Sequence, residues 1–182
     1  MMIASLPRLR RHLKILDRDI GGLVEAHPQS IECRPGCSEC CQQTFRIAEI
    51  EGELLNEGLR AAPEGLRAAI IERARAYRSD TRTACPVLAS DGHCSLYGHR
   101  PRICRKYGVP LWHPDRPHEL RTCRLNFTDG VPATLDAEAW VLSQAEWARD
   151  WIRLREELDL GEQKNRTIAA WIIRDVDSLA PS

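Results

Sequence analysis

Eight cysteines lie between Cys33 and Cys123, and four of them crowd into the nine residues Cys33-Arg34-Pro35-Gly36-Cys37-Ser38-Glu39-Cys40-Cys41. A thiolate is a charged, polarisable donor, and a soft metal draws three or four of them onto bonds of about 2.3 Å. Residues three or four apart on a tight loop can aim their sulfurs at one centre. Cys37 and Cys40 have that spacing, and Cys33 extends it four positions upstream. Cys41 follows Cys40 directly, and adjacent side chains diverge. The doublet therefore suits different atoms of a cluster, or two paired ions, better than a single tetrahedral ion.

The remaining four, Cys85, Cys94, Cys104 and Cys123, are too widely spaced for paired zinc knuckles. Their surroundings favour ionised sulfur. From residue 82 to 127 there are eight basic residues against three acidic ones, Asp91, Asp115 and Glu119, and nearby cations lower a thiol pKa. Arg100, Arg102 and Arg105 are the candidates to hydrogen-bond a sulfur centre or bind an anionic substrate. Read as a nucleic-acid patch, Arg100-Pro101-Arg102-Ile103-Cys104-Arg105-Lys106 is weak, because aromatic residues are sparse and the global charge is balanced. His93, His99, His113 and His118 could each complete a site, but the cysteines already supply enough donors. Asp91 and Asp115 read as turn residues. Tyr97, Tyr107 and Trp112 could line a pocket, with structural packing the plainer reading.

Zinc prefers isolated four-thiolate tetrahedra. Iron–sulfur clusters accept irregular spacing and can take a ligand from a proline-flanked cysteine, as in Cys85-Pro86. The expected cofactor is an iron–sulfur cluster, with zinc as the alternative. The Cys33-x3-Cys37-x2-Cys40 spacing also matches radical S-adenosylmethionine enzymes. Against that stand Glu39 where an aromatic is usual, Cys41 available for the open iron, and the absence of βα alternation in the sequence. No Ser-His-Asp set, phosphate loop or HExxH motif is present. Any catalysis would have to run through the metal, as an oxidoreductase or as an enzyme modifying a protein or peptide. A zinc-stapled interaction module without catalysis is the rival reading.

These residues resemble the YkgJ-type cysteine-cluster family, the CxxCxxCC zinc- or iron-chelating domain. The resemblance rests on Cys33-Arg-Pro-Gly-Cys37-Ser-Glu-Cys40-Cys41, on Cys85-Pro-Val-Leu, on Gly92-His-Cys94-Ser-Leu-Tyr97-Gly-His-Arg100-Pro101-Arg-Ile-Cys104-Arg105, and on Cys123. The family name implies two residues between the first cysteines, and here there are three. The resemblance implies metal chelation by these cysteines. A related pattern in flagellin lysine methylases, which look like iron–sulfur enzymes, extends the implication to a modifying activity.

Two segments far apart in sequence carry these sulfurs, and the expected fold class is mainly α: a small helical domain with irregular cysteine-rich metal-binding loops. The expected division is an N-terminal helix over 1–30, a cysteine-cluster domain over 31–127, and C-terminal helices over 128–182 that pack on it. Leu6, Leu9, Leu13, Leu16, Ile20, Leu23 and Val24 recur at helical steps from Ser5 to Ala26, with Gly21-Gly22 weakening the second half and His27-Pro28 closing it. Pro35-Gly36 predicts a tight turn within Ile31 to Thr44. A helical pair is expected over Arg46 to Arg60 and from Pro63 to about Ser79. Ala84 to Asn126 holds too many prolines and glycines for long helices or strands, and metal ligation is the physical candidate for ordering it. A helix from an N-cap at Thr134 to about Leu160 carries Trp140, Gln144, Trp147, Trp151, Leu154 and Leu158 on one inward stripe. Gly161 is its expected stop, and Asn165 to Leu179 reads as the last helix.

The chain has 182 residues, with 26 Lys plus Arg against 26 Asp plus Glu and a pI near 7.0. That length can bury a core of its own without disulfides, and the balance gives no pull toward nucleic acid or anionic membrane. The first twenty residues lack a signal peptide's apolar segment. The expected compartment is therefore the reducing cytoplasm, which argues against a disulfide framework. No membrane partner is expected, only an unidentified protein or small molecule.

Overall fold

The structure is a computed structural model that describes residues 5–34, 36–43, 45–78, 80–81, 83–113, 116–132, 134–160 and 165–179, without the side chains of 113, 116–119 and 177–179. Pro35 of the expected turn, Ser79, Arg82, Asp115, Gly161 and the side chains of His113, His118 and Glu119 lie outside the described residues.

The first helix, α1, runs Leu6–Ala26. Its leucine face is the buried one: Leu6, Leu9, Leu13, Leu16 and Leu23 are all buried. Gly21 and Gly22 sit inside it without breaking it. A hairpin follows, α2 (Glu49–Ala61) and α3 (Glu64–Ala76), with Pro63 as the N-cap residue of α3. The stretch that opens this part of the chain, Arg46–Ile47, is strand β1 rather than the start of a helix. It pairs antiparallel with β4 (Arg166–Thr167), Arg46 opposite Thr167 and Ile47 opposite Arg166. The last helix, α6 (Ile168–Leu179), leaves β4 directly and packs across both α2 and α3.

Between α3 and the C-terminal helices the backbone is irregular, as the breakers require. It contains a 3-10 turn (Tyr97–His99), the short helix α4 (Arg102–Lys106), and a ribbon of β2 (Leu111–His113) against β3 (Arg116–Arg121) whose register slips between Trp112 and His113. Helix α5 (Ala137–Glu157) begins at an Asp136 cap, whose carboxylate accepts from the Ala139 amide, two residues past the expected Thr134. It packs along α1. Trp140, Gln144, Trp147 and Leu154 of the expected stripe are buried, and Trp140 and Trp147 meet edge to face.

Three apolar clusters hold these elements. One joins α1, α2 and α5 through Leu9, Leu13, Leu54 and Leu154. A second lies under the far end of α1, with Leu16, Ile31, Val109, Phe127 and Trp147. The third joins α2, α3 and α6 through Leu55, Ile70, Trp171 and Ile172, and takes in Cys85 with Cys41, Cys94 and Cys104 at its edge. Half of the cysteines therefore stand on the wall of a helical core. Among the described residues no helix is long and apolar enough to cross a membrane.

Candidate metal centre

Local backbone chemistry builds each side of the site. In the first cysteine loop the Cys37 amide donates to the Arg34 carbonyl and Gly36 takes φ +92°, a turn that favours glycine. The chain then enters a 3-10 turn, Glu39–Gln42, that presents Cys40 and Cys41. In the second segment a tight hairpin, closed by Ser95 N to Val87 O and Ala89 N to His93 O, sets Cys94 opposite Leu88 and near Cys85. Helix α4 contributes Cys104. A turn from Cys123 to Asn126 contributes the last thiol.

Direct contacts bring the remote segments together. The Cys85 amide donates to the Cys41 carbonyl at 2.8 Å. Gly92 takes φ +82°, which favours glycine, and a Cβ there would press on the Gly36 carbonyl oxygen at 3.0 Å. Buried Asn126 ties the Cys123 turn to the first loop: its Oδ1 accepts from the Glu32 amide, and its Nδ2 donates to the Gly108 carbonyl and, at 3.2 Å, to Cys33 Sγ. Arg124 Nε donates to Glu39 across the same seam.

Five of the other thiols act electrostatically with Cys40, and Cys37 and Cys123 join them through Cys33. Cys33 feels the charge of Cys37, Cys123 and Cys40 on one flank. Cys85, Cys94 and Cys104 each feel Cys40 on the other. The Cys41 thiol beside it, with burial, holds the Cys40 thiol far above its ordinary value. Burial, then neighbouring sulfur, pushes Cys104 well up and Cys85 up to about 12. Burial raises Cys33 and Cys94 as well, against the hydrogen bond from Asn126 in the first case. Crowded, desolvated sulfurs resist carrying charge together, and a bound cation is what reverses that preference. Among the described residues no three His, Cys, Asp or Glu side chains converge closely enough to hold one ion as they stand.

The family whose profile matches residues 32–124, just over half the chain, is CxxCxxCC, described as a "putative zinc- or iron-chelating domain". The chain belongs to this family. No curated protein and no solved structure matches the chain.

An orphaned donor shows how a CxxCxxCC metal centre would fit these residues. Arg73, on α3, donates from Nε to the Pro86 carbonyl at 2.7 Å, and its charge favours the Cys85 thiolate. Its Nη2 is buried without a hydrogen-bond partner. Such a donor is costly unless anionic sulfur accepts from it. Arg100 is the second cation at the thiols: its charge favours thiolate at Cys40 and Cys94, while its guanidinium lies 3.6 Å over the Tyr97 ring and bonds the Cys104 carbonyl.

The other two expected arginines point elsewhere. Arg105 pairs with Asp17 of α1 and with the Gly98 and Arg100 carbonyls. Arg102 donates from Nε to His12 and lies 4.2 Å over the Trp151 ring. Tyr97 is exposed, Tyr107 stacks edge-on against Phe45, and Trp112 belongs to the β2–β3 ribbon. His93 is an exposed partner of Asp91, and the His99 ring lies against Gly58. Arg73, Asn126 and Gly108 carried no signal in the sequence, because each acts at the thiols only through long-range folding.

Proposed function

We propose that this CxxCxxCC protein carries a thiolate-ligated iron–sulfur centre held by Cys33, Cys37, Cys40, Cys41, Cys85, Cys94, Cys104 and Cys123. The observation that carries the reading is the approach of Cys85, Cys94 and Cys104 to Cys40, with Cys123 joining through Cys33. The Cys40–Cys41 doublet and the proline after Cys85 favour iron–sulfur over an isolated zinc tetrahedron. Such a centre supplies one-electron transfer, or Lewis acidity where an iron keeps an exchangeable ligand.

The chain's own contribution is positional. Asn126 donates to Cys33, and Arg73 and Arg100 supply positive charge to the other flank. The role we assign is redox or metal-dependent modification of a protein or small-molecule partner, in the reducing cytoplasm where eight free thiols survive.

Protein purified without oxygen tests this directly. The expected material is brown, with broad visible absorbance and stoichiometric iron and acid-labile sulfide, and single Cys→Ser variants lose metal. Colourless protein with stoichiometric zinc would replace the iron assignment with a zinc-stapled interaction module. Protein with neither metal would overturn the proposal.

A further inference from the structure

On the opposite side of α4 from Cys104 lies a second built feature, a cavity of about 230 Å³. Arg102 and Lys106 stand one helical turn apart on α4 and share its wall. Arg46 of β1, Arg155 and Trp151 of α5, and Glu51 of α2 also line it. Among the described residues four cations line it against one carboxylate, and Asp150 acts on Arg102 from beyond the lining.

That carboxylate is already engaged. Glu51 Oε1 accepts from the Arg102 amide at 2.8 Å, and Oε2 accepts from the Ala48 amide at 3.0 Å. Arg102 is fixed in place by its Nε bond to His12 and by the Trp151 face. Among the described residues, neither its terminal nitrogens nor the Lys106 ammonium has a hydrogen-bond partner. Arg46 spends one terminal nitrogen on the Asn165 carbonyl. Arg155 donates from Nε and Nη2 to the Leu160 carbonyl, yet its charge acts against that of Arg102, as the Arg102 charge does against Lys106, a repulsion that an anion between them relieves. Guanidinium forks match an oxyanion's paired oxygens.

We propose that this cavity binds a small doubly charged oxyanion, a dicarboxylate or a phosphate, seated between Arg102 and Lys106 of α4 and Arg46 and Arg155 opposite. The volume holds the equivalent of about seven or eight waters. It suits a small anion and is below the usual size of a site for a nucleotide or larger ligand. The site is independent of which metal the thiols carry.

Calorimetric titration of the purified, metal-replete full chain with succinate and with inorganic phosphate at low ionic strength tests it, with acetate as the singly charged control. Saturable one-site binding of succinate, of phosphate or of both, tighter than acetate, is expected, and the preferred probe identifies the ligand class. Lys106→Gln should weaken binding about tenfold, the loss of one charge-assisted bond, and Lys106→Arg should restore most of it. Thermal melts and metal content should be unchanged in both variants. Absence of saturable binding by either dianion, or equal binding by Lys106→Gln with its fold intact, would overturn the proposal.

Discussion

At the scale of single residues, the tightest packing at the thiols surrounds Gly108. A methyl group there would stand 2.1 Å from Cys33 Sγ and 3.0 Å from Asn126 Nδ2. The sulfur can rotate away, so Gly108→Ala should fold, but with the Cys33 thiol displaced. If Cys33 is a ligand, elemental analysis will find less metal per chain, and Cys33 will react faster with a thiol reagent. Full metal content in that variant would remove Cys33 from the ligand set. This matters because three residues, not two, separate Cys33 from the next cysteine. Asn126→Ala is the harsher change. It removes the acceptor of the Glu32 amide and a donor to the Cys33 sulfur, while the Gly108 carbonyl keeps its bond from the Thr122 hydroxyl, and leaving a buried group unsatisfied costs about 1–3 kcal/mol. Urea denaturation should show a loss in that range or above it.

Between elements, the contacts are polar as well as apolar, and one of them is sensitive to pH. His12 of α1 is 1% exposed and sits between Asp150 of α5 and Arg102 of α4. Arginine only donates, so His12 Nε2 must accept from Arg102 and Nδ1–H must donate to Asp150 at 2.6 Å. That arrangement requires a neutral imidazole. Burial pulls the His12 pKa below 6.5, with Arg102 and Arg8 adding to the effect and Asp150 opposing it. The unfolded chain then binds a proton that the folded chain resists, so stability falls as pH drops below about 6.5. Asp150 acts in the same direction at lower pH. Burial alone would raise its carboxyl, but the His12 bond and the Arg8 charge hold it below 3.8. Urea midpoints should decrease from pH 7 to pH 5, and His12→Gln should flatten that slope while lowering the whole curve. Helix contact is equally demanding at Gly52, where a Cβ would lie 2.6 Å from the Trp171 ring. Trp171 is buried and its indole N–H is bonded to the Ile47 carbonyl, so Gly52→Ala should cost about 1–3 kcal/mol by overpacking. Gly58→Ala meets the His99 ring at the same distance, but His99 is partly exposed and can swing out, so its loss in the same urea series should be smaller. The helices themselves were readable because their apolar faces repeat locally, as along α1. Arg46–Ile47 reads as helix from its neighbours because the partner that makes it a strand, Arg166–Thr167, lies more than a hundred residues away.

For the whole molecule, the cysteine pattern names the candidate donors, yet nothing in spacing alone shows that Arg73 on α3 and Asn126 beyond the last cysteine reach them. Those positions follow from how the three cores assemble. The cores also divide the labour of stability. Helices α1, α2, α3, α5 and α6 bury one another's apolar faces, whereas residues 84–126 have few regular backbone bonds of their own. If metal ties that segment down, binding free energy there is folding free energy. Stripping the metal with a chelator should then leave most of the helical circular dichroism intact. Hydrogen exchange should accelerate across the Val87–Ser95 hairpin, α4 and the Cys123 turn, well before it does in α2 and α6. The opposing force is apolar packing by Val87, Leu96, Ile103 and Val109, which already belong to the cores or pack against them. Exchange rates in 84–126 that do not change on metal removal would mean that this packing suffices and that the metal is a passenger on a preformed surface. A selective loss of protection that returns on adding back iron and sulfide would mean that the sulfurs close the fold only around their metal.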